Sequence, residues 1–252
     1  MSYDYDGGYS ADVGEGGSAG AKKKNVFKNL IVDVLKKTDK KNSISYQAKF
    51  TKIKEAEANT TLIMFQNVLK KIFSSINPDM IFNSFYSLEE YIKKIDVCSY
   101  NTVDKFINTI DFQFDMLSVI NKCVLSFSPK DIWIINDKFF VFIGNNRLDN
   151  LGLVEFDKKN HITIPLLRLN LPNNIFTAPE LLSIDEEVIH RNVCNFSLGK
   201  IILVMLFGKS ADKKLTYEKM KNSLNPIINT KIYYYVLRCI DPDIEMRTNL
   251  YV

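Results

Sequence analysis

An α+β fold is what this sequence predicts, and three observations carry it. Apolar runs flanking Asn136-Asp137-Lys138 signal a β-hairpin. Helical spacing recurs in long segments on both sides of that hairpin. The two kinds of element do not alternate regularly, which argues against a doubly wound parallel sheet. With 252 residues, 46% hydrophobic and 25% charged, the chain can bury a substantial core as one domain or two small lobes.

Residues 1–24 hold Gly7, Gly8, Gly14, Gly16, Gly17 and Gly20 among acids and tyrosines. Such a segment buries too little apolar surface to offset its ordering entropy and reads as a disordered tail, with no secretory leader. Phe27, Leu30, Ile31, Val34 and Leu35 then recur at helical spacing and predict one amphipathic helix ending near Lys37. Ile44 to Ile53 reads as a strand, because Tyr46, Ala48, Phe50 and Ile53 nearly alternate. Thr61 to Phe73 is helical, with Phe65, Leu69, Ile72 and Phe73 on one side.

Ser87 stands at the N-cap of a short helix, with Glu90 at the capping-box position. Residues 104–123 predict a long helix carrying Ile107, Ile110, Phe114, Leu117 and Ile120. Ile132–Ile135 and Phe139–Ile143 form the first hairpin. Leu153–Phe156, a turn over residues 157–160 and His161–Ile164 suggest a second. Beyond Ala178 the chain reads helical almost to its end. Its longest apolar run, Ile201 to Phe207, is bounded by Lys200 and Gly208 and falls short of the roughly 18–20 residues of a membrane span. No membrane partner is expected.

Cys98, Cys123, Cys194 and Cys239 are scattered, without C-x-x-C, and His161 and His190 do not complete a zinc spacing with them. Reduced, buried thiols in a cytoplasmic setting are expected. The net charge of +4 hides an asymmetry: residues 1–21 carry four acids and no base, whereas residues 22–54 carry eleven lysines against Asp33 and Asp39, a net +9. That stretch is either a solvated face or a surface for nucleic acid or an acidic partner. No aromatic interleaving accompanies the lysines.

Three landmarks then fall in one order. Phe176-Thr177-Ala178-Pro179-Glu180 comes first, Phe196-Ser197-Leu198-Gly199 opens an apolar helix, and Cys239-Ile240-Asp241-Pro242 precedes Arg247. Together they resemble the lower lobe of a protein kinase: the Ala-Pro-Glu closing the activation segment, the D-x-W-S-x-G helix, and the arginine that pairs with that glutamate. The resemblance implies a two-lobe fold with a reduced N-terminal lobe over residues 25–86 and a mainly helical C-terminal lobe over 87–252. It implies a structural ion pair between Glu180 and Arg247. Lys-, Asn- and Ile-rich usage, with the abbreviated domain, suggests a large DNA virus, hence host cytoplasm or virion.

The chemistry that such a lobe needs is eroded. Phosphoryl transfer requires a glycine-rich phosphate loop, a nucleotide lysine, a catalytic aspartate and magnesium ligands. No glycine lies between Gly20 and Gly144. Lys49 is either the nucleotide lysine, with Glu55 or Glu57 as partner, or a surface lysine on an edge strand. Aligning Pro129-Lys130-Asp131-Ile132 on the family's P-E-N-I puts Ser126 at the catalytic aspartate, Ser128 at the loop lysine and Asp131 at the metal-binding asparagine. Asn145, or Gly144 if the hairpin is one residue shorter, then falls at the D-F-G aspartate, and Cys194 at the aspartate that braces the loop. A serine hydroxyl does not accept a proton near neutral pH.

A rival register makes Asp131 catalytic, with Asn136 and Asp149 as metal ligands, at the cost of an apolar Ile-Trp-Ile-Ile loop. The segment from 145 to 180 offers Thr163 and Thr177 as hydroxyls, with Asn173 where kinases acting on Ser or Thr often carry threonine. The expectation is a pseudokinase that binds a protein partner, an active kinase or its substrate, without a cofactor. The alternatives are a divergent Ser/Thr kinase using ATP and magnesium, and a structural or nucleic-acid-associated protein using residues 22–54.

Overall fold

The computed structural model describes residues 24–28, 31–52, 60–144, 153–163, 174–182 and 188–251. The fold is mixed α+β, with four small sheets and six α-helices among those residues.

The first sheet begins where the sequence predicted a helix. β1 (Lys24–Lys28) and β2 (Val32–Thr38) pair antiparallel, and β3 (Ile44–Phe50) pairs with β2 from Val32↔Phe50 to Thr38↔Ile44. The spacing Phe27-Leu30-Ile31-Val34-Leu35 does fit a helix, but at period two the same stretch puts Val32 and Val34 on one buried face. β-Branched side chains suit a pleated half-buried surface, and pairing with β3 decides the outcome. Gln66 of α1 (Thr60–Ile76) ties this sheet to the helix, its Nε2 donating to the carbonyls of Ile31 at 3.0 Å and Thr51 at 2.8 Å. β4 (Ile81–Phe82) completes the order β1-β2-β3-β4.

β5 (Phe85–Ser87) runs into α2 (Leu88–Ile95) through a reciprocal capping box: Glu90 N–H donates to Ser87 Oγ, and Ser87 N–H to Glu90 Oε2 at 2.9 Å. α3 spans Tyr100–Val119, four residues earlier than expected at each end. Ser99 caps its start, and Asn121, at φ 55°, turns the chain out of the helix into β6 (Lys122–Val124). β7 (Ile132–Ile135) and β8 (Phe139–Phe142) form the expected hairpin, with Asn136 and Asp137 both left-handed in its turn, and β5 adds to β7.

The expected second hairpin is not one. The turn exists, with Asp157 accepting from Lys159 and His161 N–H, but β9 (Leu153–Glu155) pairs with β6. β10 (His161–Thr163) pairs with β11 (Val188–His190), a strand inside the region expected to be helical throughout. Three-residue strands carry too little periodicity to reveal such distant partners.

α4 (Val193–Phe207) is the axis of the C-terminal half, buried from Val193 through Leu206. The apolar segment Val193–Ser210 is long enough to cross a membrane by composition, which exceeds the run anticipated from sequence, but 72% of it is buried within the protein. α5 (Tyr217–Ser223) and α6 (Lys231–Cys239) follow. Gly199 lets α6 approach closely: a Cβ there would meet Cys239 Cβ and Ile240 Cγ2 at 2.7 Å each.

Candidate functional site

Between β6 and β7 the chain runs through Ser126, Phe127 and Ser128 into a 3-10 turn at Pro129–Asp131. This loop meets the stretch Asn174–Ala178 and the start of α4. Ser126 is 7% exposed, and its Oγ lies 3.3 Å from Thr177 Oγ1, itself buried. Ser197, fully buried in α4, bridges the two segments: its hydroxyl donates to Phe176 C=O at 2.7 Å and accepts from Phe127 N–H at 3.3 Å. Asn174 Oδ1 accepts from Phe176 N–H at 2.8 Å and closes the turn.

Asp131 looks back into its own loop. Its Oδ2 accepts from Ser128 N–H at 2.8 Å and Ser128 Oγ at 2.9 Å, while its backbone carbonyl accepts from Ile143 and Gly144 N–H. Asn136 lies at the other end of β7, with its side-chain carbonyl on Asn83 N–H at 2.8 Å. Five residues of extended chain separate it from Asp131 by roughly 16 Å. The structure does not bring these two side chains together. Asn145, Asp149, Asn173, Glu55 and Glu57 lie outside the described residues.

Lys49 is exposed, and alternation puts it on the face opposite buried Ala48. Phe50, on the Ala48 side, packs edge-on against Phe73 of α1 at 5.6 Å. Below the sheet, Phe65, Phe114, Phe127 and Phe142 form an aromatic cluster with centroids 5.2–6.1 Å apart. Gln113, 1% exposed, fixes β8 above it with two bonds to the Phe142 backbone, at 2.6 and 2.9 Å.

Cys194 is buried at the first turn of α4, its thiol directed to Arg191 C=O at 3.5 Å and pushed up to about 12 by burial. It is a neutral group at physiological pH, and Ser197 takes the contact with the loop backbone. Glu180 and Arg247 do meet: Arg247 is 2% exposed, donates through both terminal nitrogens to the Glu180 carboxylate, and lies over the Phe196 ring at 5.4 Å.

No protein-family model matches the chain, and no curated protein matches it either.

Chemically, the centre is a hydroxyl network. Among the described residues no carboxylate or imidazole hydrogen-bonds to Ser126, so none of these offers its hydroxyl a base. Among the same residues no three His, Cys, Asp or Glu side chains converge in a metal-holding group. Beside the network opens a cavity of about 380 Å³, lined by Glu89, Lys93, Lys130, Ile175, Phe176 and Asp212 among others. Glu89 faces Lys93 at 3.2 Å and Lys130 at 3.8 Å at its rim. Sequence reasoning singled out Ser126, Ser128 and Asp131 but not the bridging role of Ser197. Its signal, a serine within a mainly apolar helix, was legible as burial and not as a contact.

Proposed function

We propose that this chain is a degenerate protein-kinase-like protein that works by binding a protein partner and does not transfer phosphate. The order of elements supports it: a small sheet with one helix, a short connecting strand, two helices, a loop between paired strands, an Ala-Pro-Glu held by a late arginine, and a buried central helix. The observation that carries the reading is Ser126. At the position where the resemblance demands a proton acceptor stands a buried hydroxyl bonded to Thr177.

Other positions agree. Asp131 is engaged with Ser128, and Lys49 faces outward while Phe50 fills the inner face. What remains is a platform whose cavity offers both charge signs beside the apolar side chains of Ile175, Phe176 and Val204. That mixture suits a peptide segment of a partner protein. Thermal unfolding with and without Mg-ATP tests the reading. No rise in Tm is expected at millimolar nucleotide. A rise of several degrees that needs magnesium would restore the divergent-kinase alternative.

A further inference from the structure

The Lys-rich stretch folds into a surface for which the reading above has no use. Lys36, Lys37, Lys40, Lys41, Lys49 and Lys52 lie on β2, the β2–β3 turn, β3 and just beyond it, with Asp33 and Asp39 the acids among them. All six are half-exposed or exposed, and none makes an ion pair among the described residues. Asp39 Oδ1 is committed to the turn itself, accepting from Lys41 N–H at 2.9 Å and Ser43 N–H at 2.8 Å. The register sets Lys49 of β3 beside Asp33 of β2, and Lys37 lies further along the same face of β2.

The buried apolar residues of the sheet point the other way, and Val26 and Ile44 are exposed. Val32, Val34 and Ala48 are buried, and Tyr46 and Phe50 pack on the core. The outward face is Asp33, Leu35, Lys37, Ser45, Gln47 and Lys49, with Leu35 half-buried. A protein interface needs an apolar centre and is depleted in lysine. Interfacial membrane binding needs apolar or aromatic side chains inserted beside the charges. A regularly charged polyanion needs neither. We infer that this sheet binds the phosphate backbone of nucleic acid without reading its sequence. Ammonium groups act here as point charges on phosphate, which fixes position and carries no base information.

The test uses the full-length chain and a fluorescein-labelled DNA duplex of mixed sequence, with anisotropy read from 50 to 200 mM NaCl. With about four phosphates neutralised, affinity should fall on the order of a hundredfold across that range. The sheet variant K37Q/K40Q/K41Q/K49Q should lose most of the binding and most of the salt slope. A charge-matched control at exposed lysines elsewhere, K138Q/K158Q/K159Q/K219Q, should bind like the parent. Circular dichroism checks that both variants fold. The inference is overturned if the parent does not bind at 50 mM salt, if the sheet variant binds unchanged, or if both variants weaken alike. Tighter binding at equal salt to polyglutamate or to phosphatidylserine vesicles would also overturn it, in favour of an acidic protein or a membrane.

Discussion

Arg247, almost wholly buried, holds Glu180 through both terminal nitrogens and Asp241 C=O through Nε at 2.7 Å. One side chain therefore joins the Ala178-Pro179-Glu180 turn to the segment after α6. Glu180→Ala leaves that guanidinium buried without its counter-ion. The Glu180 side chain is 29% exposed, so a loss of about 3 kcal/mol is expected, at the low end for a broken buried pair. Replacing both residues, Glu180→Leu with Arg247→Met, should recover much of it. Urea denaturation of the single and double variants measures the difference.

Gln113→Ala should cost about 2–4 kcal/mol. Its amide satisfies both the N–H and the C=O of Phe142, and truncation strands two buried backbone groups. Gln113→Glu can make both bonds only as the protonated acid, so it should fall between at acidic pH and approach the alanine variant as the pH rises. The ranking is read from the urea midpoints.

Where local signals and final contacts coincide, the fold was legible in the sequence. The Ser87–Glu90 capping box and the Asn136-Asp137 turn are of this kind, because each is complete within a few residues. The strands at 24–38 were not legible. Their apolar spacing satisfies both periods, and the choice is made by β3, ten residues on. β9 was legible as a strand but not its pairing with β6, and β11 was not legible at all, since the partners β6 and β10 are distant in sequence. At the candidate site, that position 126 carries a hydroxyl and not a carboxylate could be read from one residue type. The Ser126–Thr177 and Ser197–Phe176 contacts could not, because a buried serine has no sequence signature apart from its apolar neighbours.

Gly199→Ala should destabilise by about 1–3 kcal/mol, the usual cost of overpacking, because the new methyl has no room against Cys239 and Ile240. Ser74→Ala, at an exposed position of α1, supplies the contrast and should leave the thermal midpoint nearly unchanged. Calorimetry of the two variants decides whether the α4–α6 approach is as tight as described.

Asp111 of α3 supplies a pH prediction. Burial pushes its carboxyl up to about 7, against opposing hydrogen bonds from Tyr235 and Asn249. Tyr235 Oη donates to Asp111 Oδ1 at 2.5 Å. Asp115 adds a like charge nearby, and burial also raises the facing groups Tyr235, Cys239 and Cys194. A carboxyl whose folded value exceeds its unfolded value holds its proton longer in the folded state. Its contribution is fully present below about pH 4 and is lost as pH rises through about 7. Relative to Asp111→Asn, which titrates nowhere in this range, the parent should lose stability between pH 5 and 8. Parallel melting curves that keep a constant separation over that interval would contradict the assignment.

The proposal that Ser126 stands in place of a proton acceptor, leaving a scaffold that transfers no phosphate, is decided by transfer of labelled γ-phosphate from Mg-ATP. The parent protein, offered itself and a generic basic peptide as acceptors, should give incorporation no greater than Asp131→Ala. Incorporation by the parent that vanishes in Asp131→Ala, with both proteins folded, would contradict the claim and return Asp131 to the chemistry.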